Sequence, residues 1–192
     1  MDLREALVTC RRRNVPIEAL GTFFGPKGKP VVRDLQSDRV FPDFTFGTHL
    51  CDVEVDLDTG KVRVLRYVAA HDVGRAINPR SVEGQISGAV VQGLGMALLE
   101  EVSLDHGVNL TGGFFQYLIP ASTDVPDIET VVLESGEGMG PFGARGIGEP
   151  PIGPPSAAVA SAIHDAIGSR PVVLPITPER VLACVDAAGS PG

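Results

Sequence analysis

The chain has 192 residues, 43% of them hydrophobic and 21% charged, which suits one domain or one lobe of a larger assembly and excludes a disordered chain. Its 23 glycines and 16 prolines argue for many turns and close backbone contacts, and against a helical bundle. A net charge of −8 counts against a nucleic-acid partner, and the composition also excludes collagen, coiled coil and disulfide scaffold.

Residues 2–13 have helical spacing, with Leu3, Ala6, Leu7 and Cys10 on one face. This start lacks the continuous apolar stretch of a signal peptide, and the longest apolar run, Ile86 to Leu99, is too short to span a bilayer. Cys10, Cys51 and Cys184 have no CxxC spacing and read as reduced, packed thiols. These features point to a soluble cytoplasmic protein with no membrane partner. From Asn14 to about Phe46 the chain is rich in glycine and proline and too long for an ordinary connection. It reads as an arm on a partner surface or the edge of a longer fold, with a flexible linker as the alternative.

Residues 50–57 alternate in polarity, and Lys61 to Ala69 carries Val62, Val64, Leu65, Tyr67 and Val68. Asp58-Thr59-Gly60 between them supplies a turn, so a β-hairpin with one buried face is predicted. Asn78-Pro79 then gives an N-cap and a first-turn proline for a helix reaching about Glu101. Its middle is apolar nearly all round, which predicts a fully buried helix. Gly84, Gly88, Gly93 and Gly95 inside it imply close approach by another backbone or a ligand. Strands are predicted near Gly113–Ile119 and Glu129–Leu133, a glycine-rich loop over Gly136–Gly148, a helix over Pro155–Ile167, and a short last helix from Thr177-Pro178 to about Ala187. The fold class is mixed α+β: a mixed sheet with a β-hairpin, a buried glycine-rich helix and C-terminal helices. Residues 1–45 form an N-terminal helix and extended arm, 46–188 the domain, and 189–192 a frayed tail.

Two stretches could carry chemistry. In Gly143-Ala144-Arg145-Gly146-Ile147-Gly148-Glu149-Pro150-Pro151, Gly146 and Gly148 let the backbone approach something bulky. The prolines there restrain Glu149, which suits a general base; a surface turn is the competing reading. In Glu83-Gly84-Gln85-Ile86-Ser87-Gly88, Gln85 offers a donor and an acceptor to a polar ligand edge, or to a neighbouring loop. Asp72 and Arg75 read as turn chemistry and a local ion pair. His49, His71, His106 and His164 have no ligand spacing, so no metal is expected to be held directly by this chain.

Taken in order, these segments resemble the C-terminal region of the molybdenum hydroxylase large subunit, the xanthine dehydrogenase and aldehyde oxidase family with its nicotinate and carbon monoxide dehydrogenases. The resemblance rests on Phe46-Gly47-Thr48-His49, Val53-Glu54-Val55-Asp56 with Thr59-Gly60, and Asp72 through Pro79. It continues through Gly84-Gln85-Ile86-Ser87-Gly88, Gln92-Gly93-Leu94-Gly95, Gly143 through Pro151 and Pro175 through Val181. It implies half of a molybdenum-cofactor-binding domain in an oxidoreductase that hydroxylates a heteroaromatic or aldehyde carbon with oxygen from water. By motif match Glu149 is the general base, and Gln85, Gly146 and Gly148 face the cofactor, molybdopterin in its mono- or dinucleotide form. The implied partners are the upstream half of the molybdenum subunit, iron–sulfur and flavin subunits carrying 2Fe-2S clusters and FAD, and a small-molecule substrate. The family's large subunit is several times longer than this chain, which points to a split subunit or a fragment. The alternatives are a non-catalytic subunit supporting assembly and an unrelated α+β binding module.

Overall fold

A computed structural model describes residues 2–18, 20–25, 41 and 43–189. Most of the predicted arm, and the tail beyond Gly189, therefore lie outside the described residues. Helix α1, Leu3–Arg12, starts with a capping box. Asp2 accepts from the Glu5 backbone N–H at 2.8 Å, and the Glu5 carboxylate accepts from Asp2 N–H at 3.4 Å. None of its residues is buried.

The predicted hairpin is present and longer than its alternation suggested: β1 is Phe46–Val55 and β2 is Val62–Asp72. Asp56 closes the turn, its carboxylate accepting from Asp58 N–H at 2.9 Å and Thr59 N–H at 3.0 Å. Gly60 sits at φ +73, where glycine was expected. Helix α2, Pro79–Leu98, begins at the predicted cap, with Asn78 Oδ1 accepting from Ser81 N–H. A small antiparallel pair follows, β3 Leu104–Asp105 and β4 Val108–Asn109. Strand β5, Asp127–Leu133, pairs parallel with β2 to give a mixed sheet in the order β1-β2-β5. Helices α3, Pro154–Ile167, and α4, Pro178–Gly189, complete the chain.

Two expectations are corrected. Gly113–Ile119 is turns and coil rather than strand, because Gly112 and Gly113 break the run and its apolar residues Phe114, Phe115, Leu118 and Ile119 stay exposed. Helix α2 is not buried all round: Val82, Ile86, Ala89, Val90, Gly93, Leu94 and Ala97 face the core, while Gly84, Gln85, Gly88, Gln92 and Met96 form an open face. Glycines are neither polar nor bulky, so composition made that face look apolar.

The core lies between one face of the sheet and helices α2, α3 and α4, built on Tyr67, Ala69, Ile86, Val90, Val159, Ile163 and Val181. The α2–α3 contact needs glycine, since a Cβ on Gly93 would come within 2.5 Å of Pro155 Cγ. Inside the core, Tyr67 Oη lies 2.9 Å from His49 Nδ1, and His49 Nε2 lies 2.7 Å from His71 Nε2. His71 is 1% exposed and its Nδ1 has no partner among the described residues. Gly47 makes room for that ring: a Cβ there would stand 2.3 Å from it.

Burial, with His71 alongside, pushes His49 from 6.5 down to about 4, and burial lowers His71 as well. Both imidazoles are therefore neutral in the fold, whereas the unfolded chain takes up protons near pH 6.5. Stability is fully present above that pH and is lost as pH falls toward 4. The His49 shift corresponds to about 3 kcal/mol. Denaturation midpoints of the chain in its assembled complex, measured between pH 7.5 and 4.5, should drop accordingly, and less steeply in His49→Gln. A flat profile in the wild type would contradict this account.

A candidate cofactor cradle

The open face of α2 meets the glycine-rich loop. Gly84 and Gly88 have nothing within 4 Å of where a Cβ would stand, and neither does Gly146. A Cβ placed on Gly148 would meet only Gln85 Oε1 among the described residues, at 3.9 Å. The fold thus brings Gln85 toward Gly148, 63 residues apart, with Gly84 and Gly88 leaving the α2 surface beside Gln85 without side chains. Between the two open glycines, Ile147 turns inward and packs on the core, which anchors the segment.

Glu149 follows at the start of a 3₁₀ turn, Pro150–Ile152, in which Pro151 is fully buried. Its carbonyl accepts from Ile152 N–H at 3.0 Å. Its carboxylate is exposed and makes no hydrogen bond or ion pair among the described residues. A fixed backbone therefore presents an exposed acid with no partner among the described residues, next to Gly148 in the chain.

The remaining glycines of the loop serve its own folding. Gly138 N–H donates to Gly143 O at 3.0 Å and Gly140 N–H to Ala144 O at 2.9 Å, closing the backbone on itself. Gly143 belongs to this group, with φ +79 and Gly136 O 2.6 Å from its Cβ position.

The ion pair expected between Asp72 and Arg75 is not formed; Arg75 is exposed, and Asp72 pairs with Arg145 at 3.5 Å. Sequence proximity favoured Arg75, but the loop folds back on the end of β2 and brings the more buried guanidinium there. Asp72 also accepts from Gly74 N–H and from Ser135 N–H and Oγ. Burial pushes the Asp72 carboxyl up, but those donors and Arg145 outweigh it and hold it below the usual carboxylate range. The sequence gives Arg145 no evident structural role, although an arginine within an otherwise small, apolar loop is a signal that it has one.

Gly74 joins this end of β2 to the loop with φ +64, and a Cβ on it would stand 2.1 Å from Gly143 O. Gly74→Ala should therefore cost about 3 kcal/mol, from the left-handed backbone and the overlap together. The shift in denaturation midpoint of the assembled complex measures it, and a neutral substitution would mean that the loop does not pack there.

Among the described residues no group of three or more His, Cys, Asp or Glu could hold a metal ion, and no helix is long and apolar enough to cross a membrane. The three cysteines are free and partly buried, and burial pushes the Cys51 thiol up to about 11, away from reactivity.

A mixed sheet layered with helices on one face, with Gln85 near the glycine-rich loop that carries Glu149, defines an α+β lobe. Residues 2–126 match the sequence model of the molybdopterin cofactor-binding domain, and the chain belongs to that family. It is 41% identical over 157 residues to the gamma subunit of the 6-hydroxypseudooxynicotine dehydrogenase complex of Paenarthrobacter nicotinovorans, covering 78% of this chain and 20% of that one. It is 36% identical over 146 residues to the xanthine dehydrogenase molybdenum-binding subunit of Escherichia coli O157:H7, covering 75% and 19%. Among solved structures, quinoline 2-oxidoreductase from Pseudomonas putida 86 matches with a TM-score of 0.69 and 39% identity, over 73% of this chain and 18% of that one. Cu,Mo-CO dehydrogenase matches with a TM-score of 0.70 and 27% identity, over 76% and 19%. The chain thus spans about a fifth of the length of the curated relatives it matches.

Proposed function

We propose that this chain forms the C-terminal part of the molybdenum-cofactor site of a multi-chain hydroxylase, with Glu149 as its general base. The observation that carries the reading is the approach of Gln85 Oε1 to Gly148, beside the bare Gly84 and Gly88 of α2 and next to an exposed Glu149. These residues fit the group: bare backbone at Gly84, Gly88, Gly146 and Gly148 admits a bulky polar ligand, and the Gln85 amide can donate and accept along its edge. The bound cofactor would supply the oxidising centre for hydroxylating a heteroaromatic or aldehyde carbon with oxygen from water.

Glu149 is exposed next to Gly148, so its carboxylate can reach a proton given up by water while Pro151 holds its backbone still. Gln85 holds the ligand and Gly146 and Gly148 let it lie against the loop. The rest of the site comes from the upstream part of the molybdenum subunit, with 2Fe-2S and FAD subunits taking the electrons away. The names of the relatives support this assignment, since they include molybdenum-binding and large subunits of dehydrogenases and hydroxylases.

The test is molybdenum content in the purified complex. Stoichiometric metal supports a catalytic subunit; a stable, metal-free complex would favour a role in assembly alone. Within that complex, Gln85→Ala should weaken cofactor retention by about 1–3 kcal/mol, because cofactor groups are left unpaired. Molybdenum measured after dilution should fall while the subunits stay associated. Unchanged occupancy would make Gln85 a structural residue.

A further inference from the structure

We infer that Arg145 is a positioning residue that sets where Glu149 stands; this rests on the reading of Glu149 as the base. Arg145 lies four residues before Glu149 and its side chain is only 8% exposed. It ties three parts of the chain to one point. Its backbone N–H donates to Val73 O at 2.8 Å, its Nη1 donates to Phe44 O at 2.7 Å, and the same group pairs with Asp72 at 3.5 Å. The guanidinium also stacks 5.4 Å from the Phe46 ring centroid.

The segment just before β1 is strapped to the loop at two further points. Thr45 Oγ1 donates to Gly146 O at 2.8 Å, and Asp43 accepts from Met139 N–H at 2.9 Å. The strap therefore grips the loop on both sides of Arg145, and one grip is on Gly146, three residues from the carboxylate.

The physical need is clear from the glycines. Gly146 and Gly148 have no side chains to pack, so this part of the segment carrying Glu149 is held through its backbone and its flanking residues. Ile147 and Pro151 hold it on the core side, and Arg145 with Thr45 holds it on the strap side. A planar guanidinium that donates to a carbonyl, pairs with a carboxylate and lies on a ring fixes orientation as well as distance. Lysine keeps the charge and can keep one of those contacts. Arg145 Nε is buried without a partner among the described residues, so this geometry is retained at some cost.

The assembled enzyme provides the test through a double-mutant cycle with Glu149→Gln. Arg145→Met should lower kcat per molybdenum by about 10²-fold, as a misplaced catalytic group does. KM should stay within about 2-fold, since the interaction serves the transition state rather than substrate binding. Arg145→Lys should recover part of the loss, and hydrogen exchange at the Gly146 and Gly148 amides should quicken in Arg145→Met. In the Glu149→Gln background, Arg145→Met should lower turnover no further, because a residue acting through Glu149 has nothing left to position. An equal loss in both backgrounds, or wild-type turnover and exchange in Arg145→Met, would overturn the assignment. Near-wild-type turnover of Glu149→Gln by itself would instead remove the base reading, and it is seen without any change at Arg145. Should Arg145→Met fail to assemble, Thr45→Val removes the bond to Gly146 O with little change of shape and enters the same cycle.

Discussion

Replacing Glu149 by glutamine should reduce turnover per molybdenum by about 10²–10⁴-fold, the range lost when a general base is removed. Glutamine keeps the size and the backbone preference of the position but has no basic carboxylate. The structure makes this substitution unusually clean. The carboxylate makes no hydrogen bond or ion pair among the described residues, so its loss breaks no internal contact. What holds the position is backbone: Pro150 and buried Pro151 after it, Ile147 packed before it, and the Ile152 N–H bond to its carbonyl. Folding, subunit association and molybdenum content should therefore stay near wild type. A structural role for Glu149 requires the opposite pattern, with lost assembly or metal and unchanged turnover per molybdenum. Activity normalised to metal separates the two, and a value within a few-fold of wild type would take Glu149 out of the mechanism.

The fold was legible where a residue's local physics and its tertiary role agree. Asn78-Pro79 started a helix, Asp56 and Gly60 closed a hairpin, and alternation from Leu50 marked the sheet. Legibility failed where the tertiary context decides. The glycines of α2 read as buried, yet Gly93 is pressed against Pro155 while Gly84 and Gly88 face open space. Nothing in a single glycine distinguishes those cases. The pairing of Asp72 with Arg145, and of His49 with His71, depends on chain folding over long separations, which sequence spacing does not encode. In the candidate site, Gln85, Gly148 and Glu149 were visible because glycine and proline punctuation set them apart. Their meeting across α2 and the loop was not, and neither was the strap at Asp43–Thr45 that steadies them.

The same exposure that makes the cradle accessible bears on how the chain behaves without the rest of the assembly. Phe114 and Phe115 are 80% and 98% exposed, Phe24 is 87% exposed, and Leu20 is 97% exposed. Helix α1 adds Leu3, Leu7 and Val8 on a helix that buries nothing. In addition, β1 and β5 are sheet edges, each paired within this sheet only to β2, and an open edge invites pairing with another chain. Soluble monomers rarely leave contiguous apolar patches beyond a few hundred Å² uncovered, and so many large apolar side chains exposed along the chain call for cover. The chain produced alone should therefore bind a hydrophobic dye strongly, sediment as aggregates and lack a sharp thermal transition. Co-production with the upstream part of the molybdenum subunit should restore a soluble species, because the same apolar groups then leave water at about 25 cal/mol per Å². A monodisperse monomer with a cooperative melt, obtained without any partner, would show that these side chains need no cover and would count against the split-site reading.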